Sequence, residues 1–141
     1  MNVDLTKLEA DLTAEEGRKN RTYYDGLGFV TGGIGHLLDP RKGGTLPDKV
    51  IDLLFQMDVD EKLNEFFVRI PWAANLSEPR QRALVNMAFQ MGVDGVLKFE
   101  NMLRCLQAGE WEAAVSAAKD SAWATQTPNR CNLVTSLFLQ D

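Results

Sequence analysis

The chain has 141 residues, 45% of them hydrophobic and 25% charged, with a formal net charge of −5. This suits one globular domain that buries its core without staples. It argues against non-specific nucleic-acid binding and against stable membrane association through bulk charge.

In chain order, Leu5, Leu8 and Leu12 fall on one face of a first helix that Asp4 can cap. Gly17 stops that helix, which puts Glu15 and Glu16 in its last turn. A carboxylate there is disfavoured by the helix dipole, so it needs a cationic partner or a function. The run Arg18-Lys19-Asn20-Arg21 reads as a solvated loop face.

From Thr22 to His36 the pattern changes. Asp25-Gly26 signals a tight turn, and Gly28, Gly32, Gly33 and Gly35 exclude a helix. Tyr23, Tyr24, Phe29, Val30 and Ile34 favour strands, so a small β-hairpin or meander is expected. It is too short to stand alone and must pack on helices.

After Pro40 the pattern is helical. A helix starts near Thr45-Leu46-Pro47-Asp48, with Val50, Leu53, Leu54, Met57 and Leu63 on one side, and runs to about Phe67. Ser77 is expected to cap the next helix, which ends at Gly92. A short helix with Val96, Leu97 and Phe99 follows. Gly109 stops the one after it, residues 110–118 form another, and Thr127-Pro128 opens the last. The expected fold class is α+β: a small β-hairpin lobe (about 20–44) joined by a long helix (about 46–68) to a mainly α-helical lobe (1–18 and 77–141). All of this belongs to a single domain, 1–141.

Three side chains in the first third carry chemistry. Glu16 at a helix end, Asp25 on the glycine-rich turn and Thr31 on its return are the parts needed to hydrolyse a glycosidic bond. One carboxylic acid protonates the departing oxygen, and an ionised carboxylate activates water or attacks the sugar. The acid stays protonated in a buried setting while the base stays ionised in a wetter one. His36 is the chain's single histidine, and with no companion His or Cys cluster it reads as structural rather than as a metal ligand. Cys105 and Cys131 sit among apolar residues and read as buried thiols. Trp111 and Trp123 read as helical core. Trp72, after Pro71, stands open between core and sugar-stacking platform.

The ordered set Glu16-Gly17, Tyr23-Tyr24-Asp25, 31–38 (TGGIGHLL), Asp58-Val59-Asp60, 86–92 (NMAFQMG) and 121–130 (SAWATQTPNR) resembles the phage-type lysozymes of the T4 lysozyme group. The likeness covers nearly the whole chain. It implies an endolysin muramidase, an inverting glycoside hydrolase, that cuts the β-1,4 bond between N-acetylmuramic acid and N-acetylglucosamine in peptidoglycan. Glu16 matches the general acid, Asp25 the second carboxylate and Thr31 the hydroxyl that places the attacking water. Arg130 matches a partner of the glutamate, and His36 with Asp58 a structural ion pair. Gly35, Leu37, Phe89, Gln90, Met102 and Thr127 fall at substrate-contact positions. No cofactor or metal is implied. The same resemblance implies a monomer held in the host cytoplasm until a holin opens the membrane, then acting on the periplasmic wall. The alternative is a non-catalytic peptidoglycan-binding or phage structural module of the same fold. Gly32 departs from the family, where a bulky aliphatic stands, so the hairpin is expected to pack less tightly; Ala122 stands where the family often has an arginine, so one cleft contact is expected to be absent.

Overall fold

The computed structural model describes residues 2–24, 30–33, 36–39 and 46–141; side chains are described for 2–18, 31 and 46–141. The elements run α1 (Leu5–Glu16), β1 (Lys19–Tyr24), β2 (Val30–Gly33), β3 (His36–Asp39), α2 (Asp48–Arg69), a 3-10 turn (Pro71–Asn75), α3 (Glu78–Leu97), α4 (Glu100–Ala108), α5 (Trp111–Lys119), α6 (Ala122–Gln126) and α7 (Pro128–Phe138).

The expected fold class, α+β with a β-hairpin lobe, is corrected by this content. The described chain is overwhelmingly helical. Its β structure is confined to strands of six, four and four residues in one antiparallel ribbon, β1-β2-β3. Strands this short cannot bury a core of their own. The compact unit that contains them, Glu9–Glu61, also holds most of α1 and the first part of α2, so the strands do not constitute a hairpin lobe. The register pairs Tyr23 with Thr31 and Thr31 with Leu37, which puts Thr31 on the central strand, and each strand pair carries one irregularity.

Within Glu9–Glu61, Leu12, Ile51, Phe55 and Val59 are buried. Of the expected stripe of α2 only Leu63 is buried, and the rest of the buried face lies out of phase with it. Val50, Leu53 and Met57 are exposed, while Ile51, Phe55, Val59 and Leu63 point inward at intervals of four. Both stripes are apolar, so periodicity alone could not choose; burying Phe55 removes more area from water. Arg18 joins this unit's helices: its guanidinium is 3.4 Å from Glu9 Oε1 and also pairs with Asp52. Arg18, the first residue of the basic run, is exposed as expected and also ties the two helices together.

The other unit comprises the residues up to Leu8 and Lys62–Asp141. Its core includes Phe66, Ile70, Leu84, Met87, Leu106, Val134 and Phe138. Asp4 starts α1 as expected, its Oδ1 accepting from the Lys7 amide at 3.1 Å. Ser77 stands at the N-terminus of α3 but does not cap it with its side chain. Its hydroxyl donates instead to the Gln140 carbonyl at 3.1 Å. Gly92, with φ 76° and ψ 163°, breaks the helical path as expected, yet helix resumes at once, so α3 is kinked rather than ended.

Candidate active site

Glu16 is the last residue of α1 and half-buried. Gly17 terminates the helix beside it with φ 75°, a conformation in which a side chain would be strained, and its amide donates to the Thr13 carbonyl at 2.9 Å. No basic residue occupies the last turn of α1, so nothing on that turn offsets the dipole at Glu16. Thr31 is 5% exposed on the central strand, its backbone held between Tyr23 and Leu37. Glu16 and Thr31 therefore belong to the same compact unit, one on a glycine-stopped helix and the other on the most constrained strand.

Asp25 and Gly35 lie outside the described residues. Leu37 is placed by its backbone on β3 opposite Thr31, and His36 by its backbone opposite Gly32; their side chains lie outside the description. Asp58 is half-buried on α2.

The second unit assembles the remaining positions around one face of α3. Asn86 and Gln90 are four residues apart, so they share that face. Asn86 Oδ1 accepts from Arg130 Nε on α7 at 3.0 Å, with both residues buried. Gln90 Oε1 accepts from the indole N–H of Trp123 on α6 at 2.8 Å. Two amides on one helix thereby fix two neighbouring helices. Phe99 packs edge-on against Trp123 at 5.8 Å between centroids. Thr127 donates its hydroxyl to the Trp123 carbonyl at 3.1 Å. The Asn86 Nδ2 group is buried with no acceptor among the described residues.

Phe89 is half-buried on α3, next to Gln90. Met102 is 1% exposed and helps to line a pocket of about 290 Å³, together with Phe99, Asn101, Asp120 and Ser121. Sequence reasoning missed Asn86 as an anchor of Arg130 and Ser121 as a cap. The Ser121 hydroxyl accepts from the Ala124 amide at 3.2 Å and so starts α6, which carries Trp123. The signal for the first was the i, i+4 spacing of the two amides.

Among the described residues, no group of three His, Cys, Asp or Glu is placed to hold a metal. No described helix is long and apolar enough to cross a membrane.

Comparison with known proteins bears on this arrangement. The phage lysozyme family matches residues 13–134. The chain is 35% identical to the pre-baseplate central spike protein Gp5 of Enterobacteria phage T4 over 91% of its own length, but it spans only 27% of that protein. It is 31% identical to probable T4-type lysozyme 2 of Dictyostelium discoideum, covering 95% of this chain and 94% of the relative. A third relative, peptidoglycan hydrolase gp36 of Pseudomonas phage phiKMV, is 26% identical, and the chain spans 15% of it. The match that takes in Glu16, Thr31, Gln90 and Arg130 together is to one family: this chain belongs to the phage lysozymes.

Proposed function

We propose that the chain is a muramidase that hydrolyses the β-1,4 bond between N-acetylmuramic acid and N-acetylglucosamine of peptidoglycan. The observation that carries this reading is the family match over 13–134, together with Glu16 and Thr31 held on separate rigid elements of one unit. The names of relatives, T4-type lysozyme and peptidoglycan hydrolase, support the substrate class.

In this reading Glu16 gives its proton to the departing glycosidic oxygen. Asp25, ionised, accepts a proton from a water that Thr31 orients. That water attacks the anomeric carbon from the face opposite the leaving group, so the product is inverted. Arg130, anchored by Asn86, is a supporting residue for the acid in this reading. Phe89, Gln90, Met102 and Thr127, with Gly35 and Leu37, contact the glycan. His36 and Asp58 are assigned a supporting rather than a catalytic role.

Turbidity loss of permeabilised Gram-negative cells tests the activity. Wild-type protein should clear them and Glu16→Gln should not. Mass spectrometry of released muropeptides tests the bond and the step. Hydrolysis leaves a reducing end that has gained water; an anhydro product would identify a lytic transglycosylase instead.

The endolysin role extends this proposal: a monomer retained in the host cytoplasm reaches the periplasmic wall after a holin opens the membrane. Expression with and without a membrane-permeabilising protein tests it, and lysis without that partner would overturn it. A second reading, a peptidoglycan-binding or phage structural module without turnover, is favoured by the similarity to a spike protein of which this chain matches about a quarter. Wall binding by both wild type and Glu16→Gln, with no muropeptide released by either, would support that reading.

A further inference from the structure

A second pocket in the unit Lys62–Asp141 has a chemistry of its own. It encloses about 460 Å³ and shares no lining residue with the Gln90–Trp123 cluster. Trp72 and Asn75 enter it from the 3-10 turn, Gln107 and Gly109 from the end of α4, and Trp111 from the start of α5. Both indoles are half-buried, whereas Asn75 and Gln107 are exposed.

The pocket is built rather than incidental. The Arg80 guanidinium lies 3.6 Å from the centroid of the Trp111 ring. Arg80 is itself buried, donating from Nε to the Phe138 carbonyl at 2.8 Å and from Nη1 to the Ser77 hydroxyl at 3.2 Å. Trp111 is therefore held by a side chain that is anchored at its far end. Gly109 ends α4 with φ 76°, and a Cβ there would come within 3.7 Å of the ring. That distance is ordinary van der Waals contact, so the positive φ of the turn, not the indole, is what calls for glycine here.

The lining decides the ligand class. In a chain that is 25% charged, no charged side chain lines this pocket. A phosphate, a nucleotide or an acidic peptide would find no cation in the lining. Flat aromatic surface suits the C–H face of a pyranose ring, and amide side chains both donate to and accept from its hydroxyl and acetamido groups. The volume lies within the range of small-ligand sites.

We propose that this pocket is a second saccharide-binding site, taking an uncharged N-acetylated hexosamine unit. It requires no chemistry at Glu16 and stands whether or not the chain turns over.

The test is a two-dimensional NMR titration of full-length Glu16→Gln protein with triacetylchitotriose, reading the three indole N–H signals. The Trp72 and Trp111 signals should shift and saturate together in the millimolar range, with cellotriose weaker because it lacks the acetamido groups. Trp72→Ala should weaken the affinity read at Trp111 by about tenfold, and Gln107→Ala should weaken it a few-fold. If Trp72→Ala fails to fold, Gln107→Ala on the exposed last turn of α4 carries the test alone. Shifts confined to Trp123, or unchanged Trp111 affinity in the folded variants, would overturn the proposal. Turbidity assays on wild-type protein report on the muramidase reading separately, so failure of one is not mistaken for failure of the other.

Discussion

The indole N–H of Trp123 donates to the amide oxygen of Gln90 across 2.8 Å, joining α6 to α3 through two side chains. Trp123 is 7% exposed, so this donor has little access to water. Gln90, expected from the sequence to touch substrate, thus also has a structural duty. Gln90→Ala leaves the buried donor unpaired and should cost about 1–3 kcal/mol in urea unfolding. Gln90→Glu keeps an acceptor at the same place and should cost less. Equal losses from the two variants would mean that the hydrogen bond is not what holds α6.

Arg80 offers a contrast between a buried and an exposed contact of one side chain. Its hydrogen bond to the Phe138 carbonyl is buried and its contact with the half-buried Trp111 ring lies beside it, whereas its ion-pair partner Asp141 is 98% exposed, with 3.0 Å between the groups. Arg80→Lys loses the planar fork and the stacking surface and should destabilise by about 2–3 kcal/mol. Asp141→Asn should change stability by less than about 1 kcal/mol. Thermal unfolding of both variants checks the ranking.

The kink in α3 predicts opposite origins for two glycine substitutions. At Gly92 a Cβ would meet nothing within 4 Å, but φ is 76° with ψ 163°, a region that essentially only glycine occupies. Gly92→Ala should cost about 1–3 kcal/mol from backbone strain alone. At Gly95 a Cβ would lie 2.7 Å from Met91 Cγ and 2.9 Å from Met91 Cβ. Rotating the methionine relieves the first contact but not the second. Gly95→Ala should therefore destabilise rather than give the usual helix gain, and adding Met91→Ala should recover only part of the loss. Chemical denaturation of the single and double variants decides this.

Burial pushes the Cys131 thiol above its ordinary pKa, an effect that the more distant Lys119 partly opposes. The sign follows from linkage. The unfolded thiol ionises at lower pH than the folded one, so this contribution to stability is complete below the ordinary thiol pKa. It is lost as pH rises through the folded value. Unfolding midpoints should accordingly fall on the alkaline side, and Cys131→Ala should flatten that slope. Thiol-reagent kinetics at mildly alkaline pH give a second check: half-buried Cys105 should react well before buried Cys131. Faster reaction at Cys131 would contradict the burial argument.

Much of the local structure was legible from residue types alone. Gly17, Gly92 and Gly109 take the positive φ that their positions as helix stops suggested, because glycine has no Cβ to strain. Asp4 starts α1 through the Lys7 amide, which also holds its carboxyl below the usual aspartate range. Of the three strands, β2 lies wholly within the stretch from Thr22 to His36, whereas β1 starts earlier, at Lys19, and β3 runs on from His36 to Asp39.

What the sequence by itself determined, then, is the start of α1 at Asp4 and the backbone breaks at Gly17, Gly92 and Gly109, since capping and φ preferences act over a few residues. Only the tertiary structure decided which faces and partners those elements acquired. The buried stripe of α2 is Ile51, Phe55, Val59 and Leu63 rather than the equally apolar one beside it, because packing against other elements selects between them. Arg18 pairs with Asp52, and the Ser77 hydroxyl serves the Gln140 carbonyl instead of its own helix, through contacts between residues more than thirty positions apart. The short strands make a ribbon and not a lobe, for want of area to bury. Asn86 and Gln90 announced a shared face by their spacing, but that one would anchor Arg130 and the other Trp123 depended on α6 and α7 coming to rest against α3.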